Sequence, residues 1–209
     1  MLRLPRCRWF RKPPDEFVHD GLPLGGDMDW AAFPWPDPGA YNRREILSAL
    51  RAVVAPHPKD WSDAGTLVRF AVGNDHRGTV YPAAVAMTEK LLMVAESYPG
   101  QPQWVALAVL EAWWGGYEPE AGFSSYVDAD GSRLGVIPEI TRRITDAAGL
   151  LTRIAEEVSA PANAALASAL LTVIPLGWGY IVDEQGVAHS WGGRVDPDGS
   201  VHFPEKENT

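Results

Sequence analysis

The chain of 209 residues predicts a mainly α-helical fold: a short α-solenoid of about three helical hairpins, with an irregular N-terminal arm and a small C-terminal antiparallel β meander. Three observations lead to it. Apolar residues between 41 and 176 recur at three- and four-residue spacing, and prolines and glycines punctuate them in pairs of segments. Beyond 177 the pattern changes to short β-like runs separated by Asp-x-x-Gly turns.

Residues 1–40 form the arm. They hold seven prolines and show no helical period, yet Trp9, Phe10, Phe17, Trp30, Phe33 and Trp35 are interleaved, and such rings need a surface to cover. The arm is therefore expected to lie across the helical body. From Tyr41 onward the helical repeat region, 41–176, begins. Ile46, Leu47, Leu50, Val53 and Val54 make one apolar face of a helix that ends before Pro56 and Pro58. Ser62 offers an N-cap to a second helix bearing Leu67, Val68, Phe70 and Ala71, which stops near Gly73. Pro82 suits the first turn of a third helix through Val85, Leu91, Leu92 and Ala95, and Thr79 is placed to cap it. Pro99-Gly100 ends that helix, and a fourth spans about 101–114 with Trp104, Val105, Leu107 and Leu110.

A Gly-rich insertion, 115–136, follows. Ile137, Ile140, Ile144, Ala147, Leu151, Ile154 and Val158 then predict one continuous helix, and Pro161 opens its partner with Leu166, Leu170, Leu171, Val173 and Ile174. The first helices of the three pairs start near 41, 82 and 137, spacings of about 41 and 55 with the Gly-rich insertion inside the longer one, beside the roughly 40–47 residues of a HEAT-like hairpin. The β appendage is 177–209. Val127-Asp128-Ala129-Asp130-Gly131, Val182-Asp183-Glu184-Gln185-Gly186 and Val195-Asp196-Pro197-Asp198-Gly199 share one turn signature, Asp opening a bend that Gly closes at positive φ. Asp128 and Asp130 imitate the start of a calcium loop, but that loop needs a further oxygen ligand before its glycine and a later glutamate. Plain turns are the simpler reading.

Composition narrows the function classes. With 46% hydrophobic and 22% charged residues the chain fits an ordinary globular protein. Its single cysteine, Cys7, excludes an internal disulfide or a CxxC site. Set among arginines, Cys7 would have its thiolate favoured, although no histidine is near it in sequence. Net charge is −9, and it is uneven: Arg3, Arg6, Arg8, Arg11 and Lys12 occupy an acid-free start, leaving 13 Lys+Arg against 27 Asp+Glu, a net of −14, for the rest. Such an acidic body argues against DNA as main ligand and against anionic membranes, and points to a basic protein partner. No run approaches the ~20 apolar residues of a membrane span, and the basic start lacks the apolar stretch of a signal peptide. A cytoplasmic home is expected.

Gly73-Asn74-Asp75-His76-Arg77-Gly78-Thr79-Val80-Tyr81-Pro82-Ala83-Ala84 and the two helices after it resemble a group of HEAT-repeat-like bacterial proteins, frequent in actinobacteria. The resemblance covers about a quarter of the chain. It implies a helical repeat fold with a binding surface, and some such proteins are regarded as immunity factors that occupy a toxin.

The loop admits three readings: a hydrogen-bonded structural bend, an interaction hot spot through Asn74, Asp75, His76, Arg77 and Tyr81, or acid–base chemistry in which Asp75 orients His76. Glu111, Glu118 and Glu120 can be read as a carboxylate pair or as solvated charge. Trp113, Trp114 and Tyr117, at the mouth of the insertion, are either an aromatic contact face or internal glue. The remaining histidines are scattered singly, no phosphate loop, nucleophile elbow or dinucleotide motif occurs, and no cofactor is expected. The sequence thus predicts a non-enzymatic protein–protein interaction module, a regulatory scaffold or, as the resemblance implies, an immunity protein. The alternative is a small hydrolase-like enzyme using Asp75 and His76, with Glu111 nearby.

Overall fold

Asn42 starts the first helix. Its side-chain oxygen accepts from the backbone N–H of Arg44 and Glu45, and its amide donates to the Glu45 carboxylate at 2.7 Å. This reciprocal cap opens α1 (Arg43–Val54), whose predicted face, Ile46, Leu47, Leu50, Val53 and Val54, is buried. A computed structural model describes residues 28–36, 41–54, 61–183 and 185–190, the side chains of 61 and 62 excepted. It also gives the backbone of strands β1 (Val18–His19), β2 (Leu22–Pro23), β10 (Arg194–Val195) and β11 (Val201–His202). Cys7 and residues 196–199 of the third Asp-x-x-Gly turn lie outside the described residues.

The second helix, α2 (Trp61–Ala71), begins one residue before Ser62, the expected cap. Its inner face is Ala64, Val68 and Ala71, continued by Val72 just past its end, and of its apolar residues Leu67 and Phe70 point outward. Small residues set this orientation. A Cβ at Gly65 would stand 3.4 Å from a Val109 methyl, so Ala64 and Gly65 bring α2 close to the fourth helix and leave the bulkier side chains outside.

After α2 the chain makes an antiparallel pair, β3 (Gly73–Asn74) and β4 (Thr79–Val80), to which β5 (Glu118–Pro119) adds in parallel on β4. Pro82 stands at the N-cap of α3 (Ala83–Ser97), which has no side-chain cap: the Thr79 hydroxyl instead donates to Glu120 at 2.6 Å. The first six residues of α3 are all buried. α4 (Gln101–Gly116) follows, also buried along most of its length. The insertion folds as a hairpin, β6 (Ser125–Val127) with β7 (Arg133–Gly135), closed by the first Asp-x-x-Gly turn with Gly131 at φ 87°.

The expected helix over 137–158 is two. α5 (Val136–Asp146) and α6 (Ala148–Ala155) meet at Ala147, whose ψ of 8° leaves the helical range and whose N–H is shared by the carbonyls of Arg143 and Ile144. The bend lets α5 pack on α3 while α6 packs on α7 (Pro161–Val173), and Val158, beyond α6, is exposed to solvent. A 3₁₀ turn at Ile174–Leu176 leads to β8 (Tyr180–Val182), paired with β9 (Ala188–Ser190) through the second Asp-x-x-Gly turn, Gly186 at φ 80°. Among the described residues β10 pairs with β11, so the C-terminal strands form small antiparallel pairs, β8 with β9 and β10 with β11.

Seven α-helices among the described residues therefore pair as α1 with α2, α3 with α4, and α6 with α7, and α4 lies between α2 and α7. One apolar core runs through them and includes Trp30, which sits in a short 3₁₀ turn ahead of α1. Phe33 packs on Tyr126 and Trp35 on Tyr41 and Tyr81, fastening residues 28–36 to the helical body. At the other end Gly179 donates to the Trp114 carbonyl and the Trp114 indole donates to the Gly177 carbonyl, which docks the β8–β9 hairpin on the end of α4. No helix among the described residues is long and apolar enough to cross a membrane.

Candidate functional site

The bend between β3 and β4 is held by a charged network. Arg69, in the last turn of α2, donates from Nε to Asp75 Oδ1 at 2.6 Å and from Nη2 to the Thr66 hydroxyl at 3.1 Å. Tyr117, at the end of α4, donates its phenolic proton to the same Asp75 oxygen. Partial burial pushes the Asp75 carboxyl up, but the hydrogen bonds from Arg69 and Tyr117 outweigh it and hold the group below its ordinary range. The same burial, and the bond to Asp75, raise the Tyr117 phenol well above its usual value. Alongside, Glu120 accepts from Thr79 and meets Arg77 Nη1 at 3.5 Å; with the Arg77 side chain 70% exposed, that ion pair contributes little.

His76 turns away from this network. Its ring lies edge-on to Phe70 with centroids 4.9 Å apart, and both side chains are exposed. Among the described hydrogen bonds none joins Asp75 to His76, so the carboxylate expected to orient the imidazole is committed to Arg69 and Tyr117. Among the described residues an Asp–His pair forms elsewhere, Asp183 with His189, 2.5 Å apart on the β8–β9 hairpin. Asn74 lies in β3 opposite Thr79, and Tyr81 is half-buried against Trp35.

Glu111, Trp113 and Trp114 are not part of this cluster. Glu111 lines a groove formed with α7 and β8–β9, and none of residues 74–77 lines that groove. Trp113 and Trp114 are completely buried, so neither ring is available as a contact face. Trp114 tilts against Trp178, whose indole donates to the Tyr117 carbonyl. Their neighbouring position on a helix buried nearly all round explains this. Three participants had no site signal in the sequence: Arg69 and Thr66, within α2, and Phe70, read only as one of its apolar residues. No three His, Cys, Asp or Glu side chains among the described residues are grouped to hold a metal ion.

Comparison with protein families, with curated proteins and with solved structures returns no match to this chain.

Proposed function

We propose that the protein is a non-enzymatic protein–protein interaction module, its hairpins stacked as a short HEAT-like array, acting in the cytoplasm on a basic partner. The stacking is supported by α4 lying between α2 and α7, as second helices do in such arrays. One observation carries the binding reading: Leu67 and Phe70, one turn apart on the outer face of α2, are 47% and 40% exposed, and the His76 ring extends the patch. The Arg69–Asp75–Tyr117 network fixes the bend beside it, so the patch is presented in one shape, at low ordering cost for a partner. The acid excess of the chain favours a basic protein. A toxin, as the immunity reading has it, and a scaffolded regulatory protein are both partners of this kind.

The test compares native chain with a Leu67→Ser, Phe70→Ser double variant as bait in lysate of the source organism. A basic protein retained by the native bait and lost by the variant, at unchanged thermal midpoint, is the expected result. Identical retained sets on the two baits overturn the reading.

A further inference from the structure

Between α4, α7 and the β8–β9 hairpin runs an open groove of about 440 Å³, within the size range of small-ligand sites. Its walls combine apolar Leu166 and Val182 with Glu111, Ser168, Thr172 and Asp183, and among the described residues no Lys, Arg or His lines it. The two carboxylates differ in what they hold. Asp183 is saturated: Oδ1 accepts the N–H groups of Gln185 and Val187 at 2.9 Å, and Oδ2 faces His189. Glu111 has neither a hydrogen bond nor an ion pair among the described residues, although it is partly withdrawn from water. Across from it, Ser168 and Thr172 stand one turn apart on α7. The Thr172 hydroxyl donates to the Ser168 carbonyl, which leaves its oxygen lone pairs open.

A desolvated carboxylate without a charged partner is costly, and among the described residues the groove around it offers hydroxyls, a second carboxylate and apolar surface but no cation. An anion would be repelled there. A primary ammonium carries three donors and no acceptor, which suits one carboxylate and two separate hydroxyls better than the planar fork of a guanidinium does. We propose that this groove binds a protonated primary amine on an aliphatic stem, with Glu111 as counter-ion, Ser168 and Thr172 as further acceptors, and Leu166 and Val182 against the stem. The site shares no residue with the α2 face and stands whether or not that face binds a protein.

The test is an NMR titration of the ¹⁵N-labelled full chain near neutral pH with 1-aminobutane, with 1-butanol as uncharged control and acetyl-Gly-Lys-Gly-amide as a peptide-borne amine. Saturable shifts centred on residues 165–172 and 182–186 are expected with the amines. Affinity should fall about tenfold in Glu111→Gln and about threefold in Thr172→Val, and 1-butanol should give no saturable shift. Both substitutions are nearly isosteric, and unchanged spectra outside the groove verify the fold of each. Tighter binding of the peptide supports the site with a protein lysine as source, and tighter binding of 1-aminobutane supports it with a free amine as source. Unaltered affinity in Glu111→Gln, saturable 1-butanol binding at the same residues, or no saturable shift with either amine overturns the proposal.

Discussion

The phenol of Tyr117 donates to the carboxylate of Asp75, 42 residues earlier in the chain, and so ties the end of α4 to the bend that follows α2. The parallel addition of β5 to β4 runs beside this link, with Glu118 N–H bonded to the Gly78 carbonyl at 2.9 Å. Replacing Tyr117 by Phe keeps the ring and removes one hydrogen bond to a charged acceptor in a partly exposed setting. Asp75 retains Arg69, so the expected loss is modest, about 1–2 kcal/mol in urea unfolding. Faster amide exchange in residues 74–80, with little change in α5–α7, should accompany it.

Asp75 also sets an acid limit on this end of the molecule. Its carboxyl titrates below the ordinary value of 3.8 in the fold, because the bonds from Arg69 and Tyr117 outweigh burial. A depressed carboxylate contributes stability that is complete above its unfolded pKa and is lost as pH falls through the folded one. Unfolding free energy should thus decline below about pH 4 more steeply in the native chain than in Asp75→Asn. Parallel acid limbs for the two proteins would show that the carboxylate is not stabilised by its partners.

Two glycines separate a close backbone approach from ordinary helix. A Cβ on Gly73 would lie 2.3 Å from the Thr79 carbonyl oxygen and 3.0 Å from that of Arg69, both backbone atoms that cannot swing aside. Gly149, inside α6, has no atom within 4 Å of such a Cβ. Gly73→Ala should cost about 3 kcal/mol and open the β3–β4 pair. Gly149→Ala should stabilise by about 0.5–1 kcal/mol through helix propensity. Thermal unfolding of the two variants side by side reads both signs, and a destabilised Gly149→Ala would contradict the open space at that site.

How far the sequence speaks for this fold depends on distance along the chain. The face of α1 was readable because Ile46, Leu47, Leu50, Val53 and Val54 carry their period within one helix, and all are buried. The break at Ala147 was not, since Ile144, Ala147, Leu151 and Ile154 keep three- and four-residue spacing straight through a bend that only a shared N–H reveals. On α2 two candidate stripes compete, and the small residues that win at close approach carry less hydrophobicity than Leu67 and Phe70. The loop was legible as a polar bend, but its partners Arg69 and Tyr117 were not, because nothing local to Asp75 announces a phenol 42 residues away. Trp113 and Trp114 stayed open between two readings for a different reason: interface and core both favour large rings, and only burial distinguishes them.

Glu111 supplies the pH dependence of opposite sign. Burial raises its carboxyl above the ordinary 4.5, so the fold favours the protonated form. A raised acid contributes stability that is fully present below its unfolded pKa and is lost as pH rises through the folded value. Glutamine, uncharged throughout, escapes that loss. Native chain and Glu111→Gln should therefore unfold with nearly equal free energy near pH 4 and diverge as pH rises, with the variant the more stable at neutrality. Denaturant titrations at a series of pH values read the gap directly. Saturating 1-aminobutane should narrow it near neutral pH, because an ammonium held at Glu111 binds the native fold and stabilises it by mass action. A gap constant with pH would contradict the raised carboxyl, and one that varies with pH but that amine leaves untouched would separate the burial of Glu111 from any role as a counter-ion.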